Sequence, residues 1–409
     1  MRIPGALLAI LYILSCLIDL YIWKDLRYYC GKKNTASKLY AVFSVLCWIL
    51  LTVAVCMPRR SQSADILPVM WMIYTFLTIY LAKLVYVVFS LIGRIPLLLK
   101  RHKRYNTGLW IGLPIASIVF IIMWWGAMVT RHEVSVTRVE IESSRIPHNF
   151  DGYTIAQFSD AHVGTWGKDT VFISTLVDSI NALHADLIVF TGDIVNRSTP
   201  ELEPFLRVLS RLHAPDGVVS ILGNHDYGDY MDWSFPSEKA ANLELLAAWQ
   251  RQMGWRLLRN EHIFLSRGTD SIPLIGVENW GEPPFKQYGK LEKAYPAAAD
   301  SPFNLNDGRF KILLSHNPEH WRQEVREVSD IDLTLAGHTH AMQFMIEIGS
   351  FKWSPAEYKY EQWAGLYEYI KSSGFNSRIY VNVGSGEVGM PFRIGATPEI
   401  TLFTLRNTN

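Results

Sequence analysis

Five short clusters of aspartate, histidine and asparagine stand out along the chain. They are Ser159-Asp160-Ala161-His162, Gly192-Asp193, Gly223-Asn224-His225-Asp226, Ser315-His316-Asn317 and Gly337-His338-Thr339-His340. Asp160 and His162 are two residues apart, which in extended backbone puts both on one side, able to grip one ion. His338 and His340 share that spacing and are able to give one ligand to each of two ions. Together Asp160, His162, Asp193, Asn224, His316, His338 and His340 offer more donors than one tetrahedral ion accepts. They suit two divalent ions that share a carboxylate. Imidazole, carboxylate and amide donors without thiolate favour manganese, iron or zinc over calcium. Gly192, Gly223 and Gly337 precede ligands where a tight turn or close backbone approach is needed.

These clusters need elements to bring them together. Short β-rich apolar runs recur at Tyr153–Ser159, Asp186–Thr191, Gly217–Leu222, Ser271–Val277, Arg309–Ser315, Ile331–Ala336, Arg378–Val383 and Ile400–Leu405, after an alternating entry strand within Arg131–Ile146. Helical patterns fall between several of them, at Lys168–Leu183, Pro200–Leu212, Ser237–Met253 and Pro318–Val328. Strands alternating with helices predict an α/β layered domain over residues 131–409. All five clusters follow the carboxyl end of a predicted strand, where α/β sheets build their sites. Histidines satisfied in a core would explain one or two of the clusters, but not five at strand ends. His184, His213, His262 and His320 belong to no spacing pattern and read as structural or surface residues.

The ordered set D-x-H, G-D, G-N-H-D, H and G-H-T-H resembles the calcineurin-like metallophosphoesterase family across about Tyr153–Leu405. The resemblance implies two packed mixed β-sheets flanked by helices, a four-layer sandwich, and hydrolysis of a phosphodiester, phosphomonoester or pyrophosphate bond. It also implies roles. Asp160, His162, Asp193 and His340 would hold one cation. Asp193, Asn224, His316 and His338 would hold the other, with Asp193 shared and a bridging water as nucleophile. His225 would face the substrate as acid or electrostatic stabiliser, with Asp226 orienting it. The run Gly384-Ser385-Gly386, Pro391-Phe392-Arg393-Ile394-Gly395, Pro398-Glu399-Ile400 is similar to the bacterial membrane-associated branch, which includes UDP-2,3-diacylglucosamine hydrolase-like enzymes. That branch often continues its last histidine motif with Gly-Gly-Gln. Here Ala341-Met342-Gln343 stand instead, and the larger side chains of Ala341 and Met342 are expected to narrow the rim. Trp166, Trp280 and Arg393 are candidate substrate contacts, with a salt-bridged structural role as the alternative for Arg393. The aromatic stretch Phe344–Gly374 is a candidate lid or membrane-facing rim, the alternative being packing under a long loop.

The first 130 residues differ in kind. Four apolar stretches, Pro4–Trp23, Lys38–Met57, Ile66–Gly93 and Leu109–Val129, are each long enough to cross a bilayer, for which roughly 20 apolar residues suffice. Helices around a soluble core keep a polar face, and these stretches have almost none. Lys83 is expected to snorkel to the interface, and Asp19 to sit near a helix end. Without a charged interior network, the helices read as an anchor rather than a transporter. Basic residues favour the cytoplasmic side. They gather in the first connection (Lys24, Arg27, Lys32, Lys33, Lys38) and the third (Arg94, Lys100, Arg101, Lys103, Arg104), against Arg59 and Arg60 in the second. This predicts an outside N-terminus in a bacterial inner or plasma membrane, with the catalytic domain periplasmic or extracytoplasmic.

The overall charge of +1 gives no field for nucleic acid, which is not an expected partner. The expected partners are the bilayer and a phosphate-bearing small molecule or lipid of the envelope. All four cysteines (Cys16, Cys30, Cys47, Cys56) lie in the apolar third, which excludes a disulfide framework for the catalytic part. They read as small apolar residues, and the chain continues apolar after Cys16, unlike a lipoprotein cleavage site. Two competing functions remain. One is the UDP-2,3-diacylglucosamine hydrolase-like step of lipid A synthesis, which needs a cytoplasmic catalytic face. The other is a non-catalytic membrane scaffold or sensor with structural metals.

Overall fold

A computed structural model describes residues 5–32, 34–61, 65–98, 107–283, 286–296 and 308–409. The chain divides into two compact units, Met1–Val129 with Gly389–Phe392, and Thr130–Val388 with Arg393–Asn409. The return of Gly389–Phe392 to the first unit is a feature that a linear division at residue 130 lacks.

The first unit has four long helices: α1 (Gly5–Tyr29), α2 (Thr35–Cys56), α3 (Leu67–Leu98) and α4 (Thr107–Met128). All four are long and apolar enough to cross a membrane. Asn34 caps α2, its side chain accepting the Ser37 N–H at 2.6 Å. Helix α1 continues past Trp23, so Lys24 and Arg27 lie on it rather than in a connection. Lys33, Lys100, Arg101, Lys103 and Arg104 lie outside the described residues.

Two expectations for this unit are overturned. Lys83 does not snorkel: its ammonium lies 2.7 Å from Asp19 Oδ1, and both side chains are buried. Tyr40 and Tyr80 donate to the same carboxylate at 2.6 and 2.5 Å. A second acid, Asp25, pairs with Arg94 and accepts from Ser90 and Tyr86 at 3.1 and 3.2 Å. The helices therefore do carry an interior charged network. It escaped the sequence reading because its partners come from different helices. Charges in a low-dielectric interior persist where they are paired and hydrogen-bonded, and that condition is met here.

The second unit is built on two six-stranded sheets. The first has the order β1 (Ser135–Ser143), β14 (Glu399–Asn407), β2 (Thr154–Phe158), β3 (Leu187–Phe190), β4 (Val218–Ser220) and β5 (Trp255–Leu257). The second has the order β12 (Gly365–Ile370), β13 (Asn376–Val381), β9 (Leu333–Ala336), β8 (Ile312–Leu314), β7 (Asp270–Gly276) and β6 (Glu261–Arg267). Both are mixed: β2, β3, β4 and β5 run parallel, as do β7, β8, β9 and β13, while β14 and β12 add antiparallel pairs. A separate ribbon pairs β10 (Ile346–Ile348) with β11 (Phe351–Trp353).

The central strands β3 and β8 are apolar at every position because both faces are covered. Alternate residues enter different cores. Ile155, Leu187, Val189, Ile312, Leu314, Leu333 and Leu335 meet between the sheets. Ala156, Phe158, Ile188 and Phe190 face helix α5 (Val171–Asn181), and Leu313 and Ala336 face Trp321 and Val325. Helix α5 buries Phe172, Ile173, Leu176, Val177 and Ile180, the apolar stripe of a 3.6-residue period. Helix α6 (Pro236–Gln252) starts with proline at its first turn, where no N–H is needed. The predicted helix at Pro200–Leu212 is mostly 3₁₀, over Thr199–Phe205, with Pro204 inside it and a single α turn after. Gln157 crosses the buried layer, its amide donating to Thr191 Oγ1 at 3.1 Å and the Ala336 carbonyl at 2.8 Å. It ties β2 to β9 just below the strand ends.

Candidate metal centre

The five clusters converge. β2 delivers Asp160 and His162, β3 delivers Asp193, β4 delivers Asn224 and His225, β8 delivers His316, and β9 delivers His338 and His340. Asp160 Oδ1 lies 3.1 Å from His340 Nε2, which is 3.1 Å from His162 Nε2. Asp193 Oδ2 lies 3.6 Å from His162 Nε2 and 3.2 Å from His316 Nε2. His316 Nε2 is in turn 3.2 Å from both Asn224 Oδ1 and His338 Nδ1. Asp160, His162 and His340 form one group of potential ligands within 4.8 Å of one another, and Asp193, His316 and His338 form another. Asp193 reaches toward both groups. A third grouping, His162, Asp193 and His225, brings His225 to the same edge.

The backbone is bent to achieve this. Asp160, His162, Asp193, His338 and His340 all have left-handed φ, between 40° and 77°. Such residues cost roughly 1–3 kcal/mol each and persist where surrounding structure holds them. The holding contacts are present. A Cβ on Gly337 would lie 2.0 Å from Ser159 Oγ and 2.3 Å from Asp160 Oδ2, so only glycine lets these loops touch. Asp226 accepts N–H groups from Gly223 at 2.8 Å and from Asp193 and Ile194 at 2.9 Å. Burial and the neighbouring Asp193 charge push its carboxyl up to about 7, against these donors.

The opposite ring nitrogens are also held, as is usual for ligating histidines. His162 Nδ1 faces the Val195 carbonyl at 3.2 Å, and His316 Nδ1 faces that of Thr191 at 2.8 Å. His338 Nε2 meets the Tyr360 hydroxyl at 3.0 Å. Asn224 Nδ2 donates to the Tyr230 hydroxyl at 2.9 Å, which turns the amide oxygen inward. The charges interlock. Burial would raise the Asp160 and Asp193 carboxyls, but the facing histidines hold both below the usual range. Burial lowers His162, and burial with the neighbouring His316 lowers His338 to about 3, so both imidazoles keep free lone pairs. His316 is raised to about 9 although burial opposes it, because Asp193 and Asp160 attract positive charge there. Inward lone pairs, two ionised carboxylates, one amide oxygen and a pull toward positive charge fit two divalent cations.

His225 is half-buried. Its N–H donates to Asp193 Oδ1 at 2.7 Å, its Nδ1 meets the Asn196 carbonyl at 2.6 Å, and Tyr230 stacks on the ring at 4.1 Å. The expectation that Asp226 orients His225 is corrected: the Asn196 carbonyl does so, while Asp226 staples the Asp193 and Asn224 loops together. Asn196, Tyr230 and Tyr360 were missed in the sequence. Tyr360 lay inside the aromatic stretch, but nothing marked it off from its neighbours, and a carbonyl leaves no sequence signal.

The three expected substrate contacts are all buried. Trp166 is buried, stacks on Phe172 at 4.3 Å and lies beneath Arg131, so it packs a core. Trp280 is buried, stacks on His320 at 5.5 Å and donates to Glu324 at 3.1 Å. Arg393 is fully buried and donates to the carbonyls of Gly386, Val383 and Ala396. Burial draws its guanidinium down to about 10, opposed by Glu387. Its Nη2 faces the carbonyls of Val383 and Gly386 and lies 3.2 Å from His340 Nδ1. Ala341 is buried and only Met342 reaches solvent, so one side chain rather than two stands at the rim.

A pair of mixed sheets with imidazole and carboxylate pooled at their strand ends defines a metal-dependent hydrolase scaffold. Residues 153–342 match the model for calcineurin-like phosphoesterases, and residues 1–131 match that described as "Probable Calcineurin-like phosphoesterase, transmembrane domain". A metallophosphoesterase of Bacillus subtilis, YkuE, is 33% identical over 68% of this chain and 87% of its own. A zebrafish (Danio rerio) transmembrane protein with a metallophosphoesterase domain is 26% identical over 97% of this chain and 89% of its own. A Campylobacter jejuni metallophosphoesterase is 23% identical over 95% of each. The chain belongs to the calcineurin-like phosphoesterase family. It is a membrane protein and a phosphoester hydrolase.

Proposed function

We propose that Asp160, His162, Asp193 and His340 hold one divalent cation and Asp193, Asn224, His316 and His338 a second, for hydrolysis of a phosphoester on a lipid or other envelope molecule. The supporting observation is the approach of Asp193 Oδ2 to a histidine of each group, at 3.6 and 3.2 Å. When bound, manganese, iron or zinc supplies charge neutralisation at the phosphoryl oxygens and activates a water for in-line attack. The chain does the rest. The Asn196 carbonyl accepts from His225 Nδ1–H, which leaves Nε2 to carry the proton that the leaving oxygen needs. Tyr230 holds that ring flat and also fixes the Asn224 amide. A membrane-anchored hydrolase works where lipid phosphoesters are.

The test is hydrolysis of bis(p-nitrophenyl) phosphate by the purified full-length protein with added manganese. Asp193→Ala is expected to abolish turnover, and His225→Ala to reduce it about 10²–10⁴-fold, the usual share of a positioned acid. Wild-type rates in both variants would refute the assigned roles.

A further inference from the structure

The two-stranded ribbon β10–β11 belongs to neither large sheet. Its register pairs Ile346 with Trp353 and Ile348 with Phe351, so these four share one face, and Glu347 with Lys352 share the other. At the tip Ile348 is 73% exposed and Phe351 57%. Trp353 stands two pairs further back, edge-on to Tyr358, which is 84% exposed. Lys352 and Lys359 lie beside them on the surface. The sequence from tip to root is aliphatic and Phe, then Trp and Tyr, with lysines alongside. That is the order of side chains that enter hydrocarbon, sit at the interface and meet phosphate headgroups.

The root of the ribbon is fastened to the metal centre. Ser354 Oγ donates to the Ala341 carbonyl at 2.6 Å, and Thr339 Oγ1 donates to that of Trp363 at 2.6 Å. Both acceptor and donor belong to the loop that presents His338 and His340. Tyr360, on the segment after the ribbon, holds His338 itself. The bilayer is the favoured occupant because the chain is already tethered to one: only residues 129–134 separate α4 from β1.

We propose that the β10–β11 tip inserts into the membrane interface and opens the site to the headgroup layer, so that the substrate is a lipid-borne phosphoester. This rests on the phosphoesterase reading above. Insertion and turnover are separable in one preparation: full-length protein in nanodiscs of phosphatidylethanolamine and phosphatidylglycerol. The native cysteines are replaced by alanine, and an environment-sensitive fluorophore is attached at Ile348→Cys or, as control, at Val171→Cys, which is 70% exposed on α5. The expected result is blue-shifted emission, quenched by spin-labelled lipid, at 348 and not at 171. Water-like emission at 348, or equal quenching at both positions, overturns the proposal. Ile348→Ser with Phe351→Ser is expected to leave soluble bis(p-nitrophenyl) phosphate turnover within about twofold, while lowering turnover of a p-nitrophenyl phosphodiester carried on an acyl chain at least tenfold. Equal rates on the acyl-chain substrate would overturn it, as would a parallel loss on both substrates. If wild type cleaves neither substrate, it is the phosphoesterase reading that fails.

Discussion

Five of the seven donor residues adopt left-handed backbone, and the neighbours that hold them decide how well the donors are aimed. Tyr360 is the clearest case, because its hydroxyl is the partner of His338 Nε2. Tyr360→Phe keeps the ring and removes only that bond. It is expected to weaken metal affinity or activity about 10–100-fold, the range for outer partners of ligating histidines. Titration of activity against manganese checks this, and an unchanged midpoint and rate would assign the tyrosine to packing alone. The donors themselves were readable from sequence because imidazole and carboxylate at two-residue spacing after a strand is rare by chance. The aimers were not. The Asn196 carbonyl and the stacked Tyr230 become visible only when the loops after β3 and β4 are brought together. The error over Asp226 has the same root: adjacency in sequence to His225 suggested a contact that the fold directs to backbone N–H groups instead.

At the level of elements, the apolar central strands and the stripe of α5 were legible, since periodicity reports burial directly. The two edge strands β5 and β6, the ribbon β10–β11 and edge strand β12 carry weaker patterns, being short or half exposed, and were not anticipated. Composition also concealed the membrane helices' interior. A window average records Asp19 and Lys83 as isolated defects, whereas the fold makes them a pair 2.7 Å apart. Removing one partner leaves an uncompensated buried charge, which costs roughly 3–5 kcal/mol, while replacing both is often close to neutral. Lys83→Met is therefore expected to lower thermal stability in detergent sharply, and Asp19→Asn with Lys83→Met to restore most of it. Additive losses in the double variant would show that the two side chains stabilise the bundle independently.

The chain joins a hydrolase to four helices long and apolar enough to cross a membrane, and which side of the membrane the hydrolase occupies fixes the substrates it meets. An extracytoplasmic catalytic unit is the expectation that follows from four spans and the distribution of basic residues in the sequence. An alkaline phosphatase reporter fused after Asn409 is expected to be active and a fluorescent cytoplasmic reporter dark. The reverse pattern would favour a cytoplasmic substrate such as a nucleotide-linked lipid precursor.

In the proposed centre, side chains spread from Asp160 to His340 hold two cations in common. Elemental analysis of the full-length protein after loading with manganese and removal of excess measures this directly. The expected stoichiometry is two ions per wild-type chain, about one for Asp160→Ala, and fewer than one for Asp193→Ala, because Asp193 is shared. A fully active wild-type chain with a single ion, or an Asp193→Ala chain that still retains two, would contradict it.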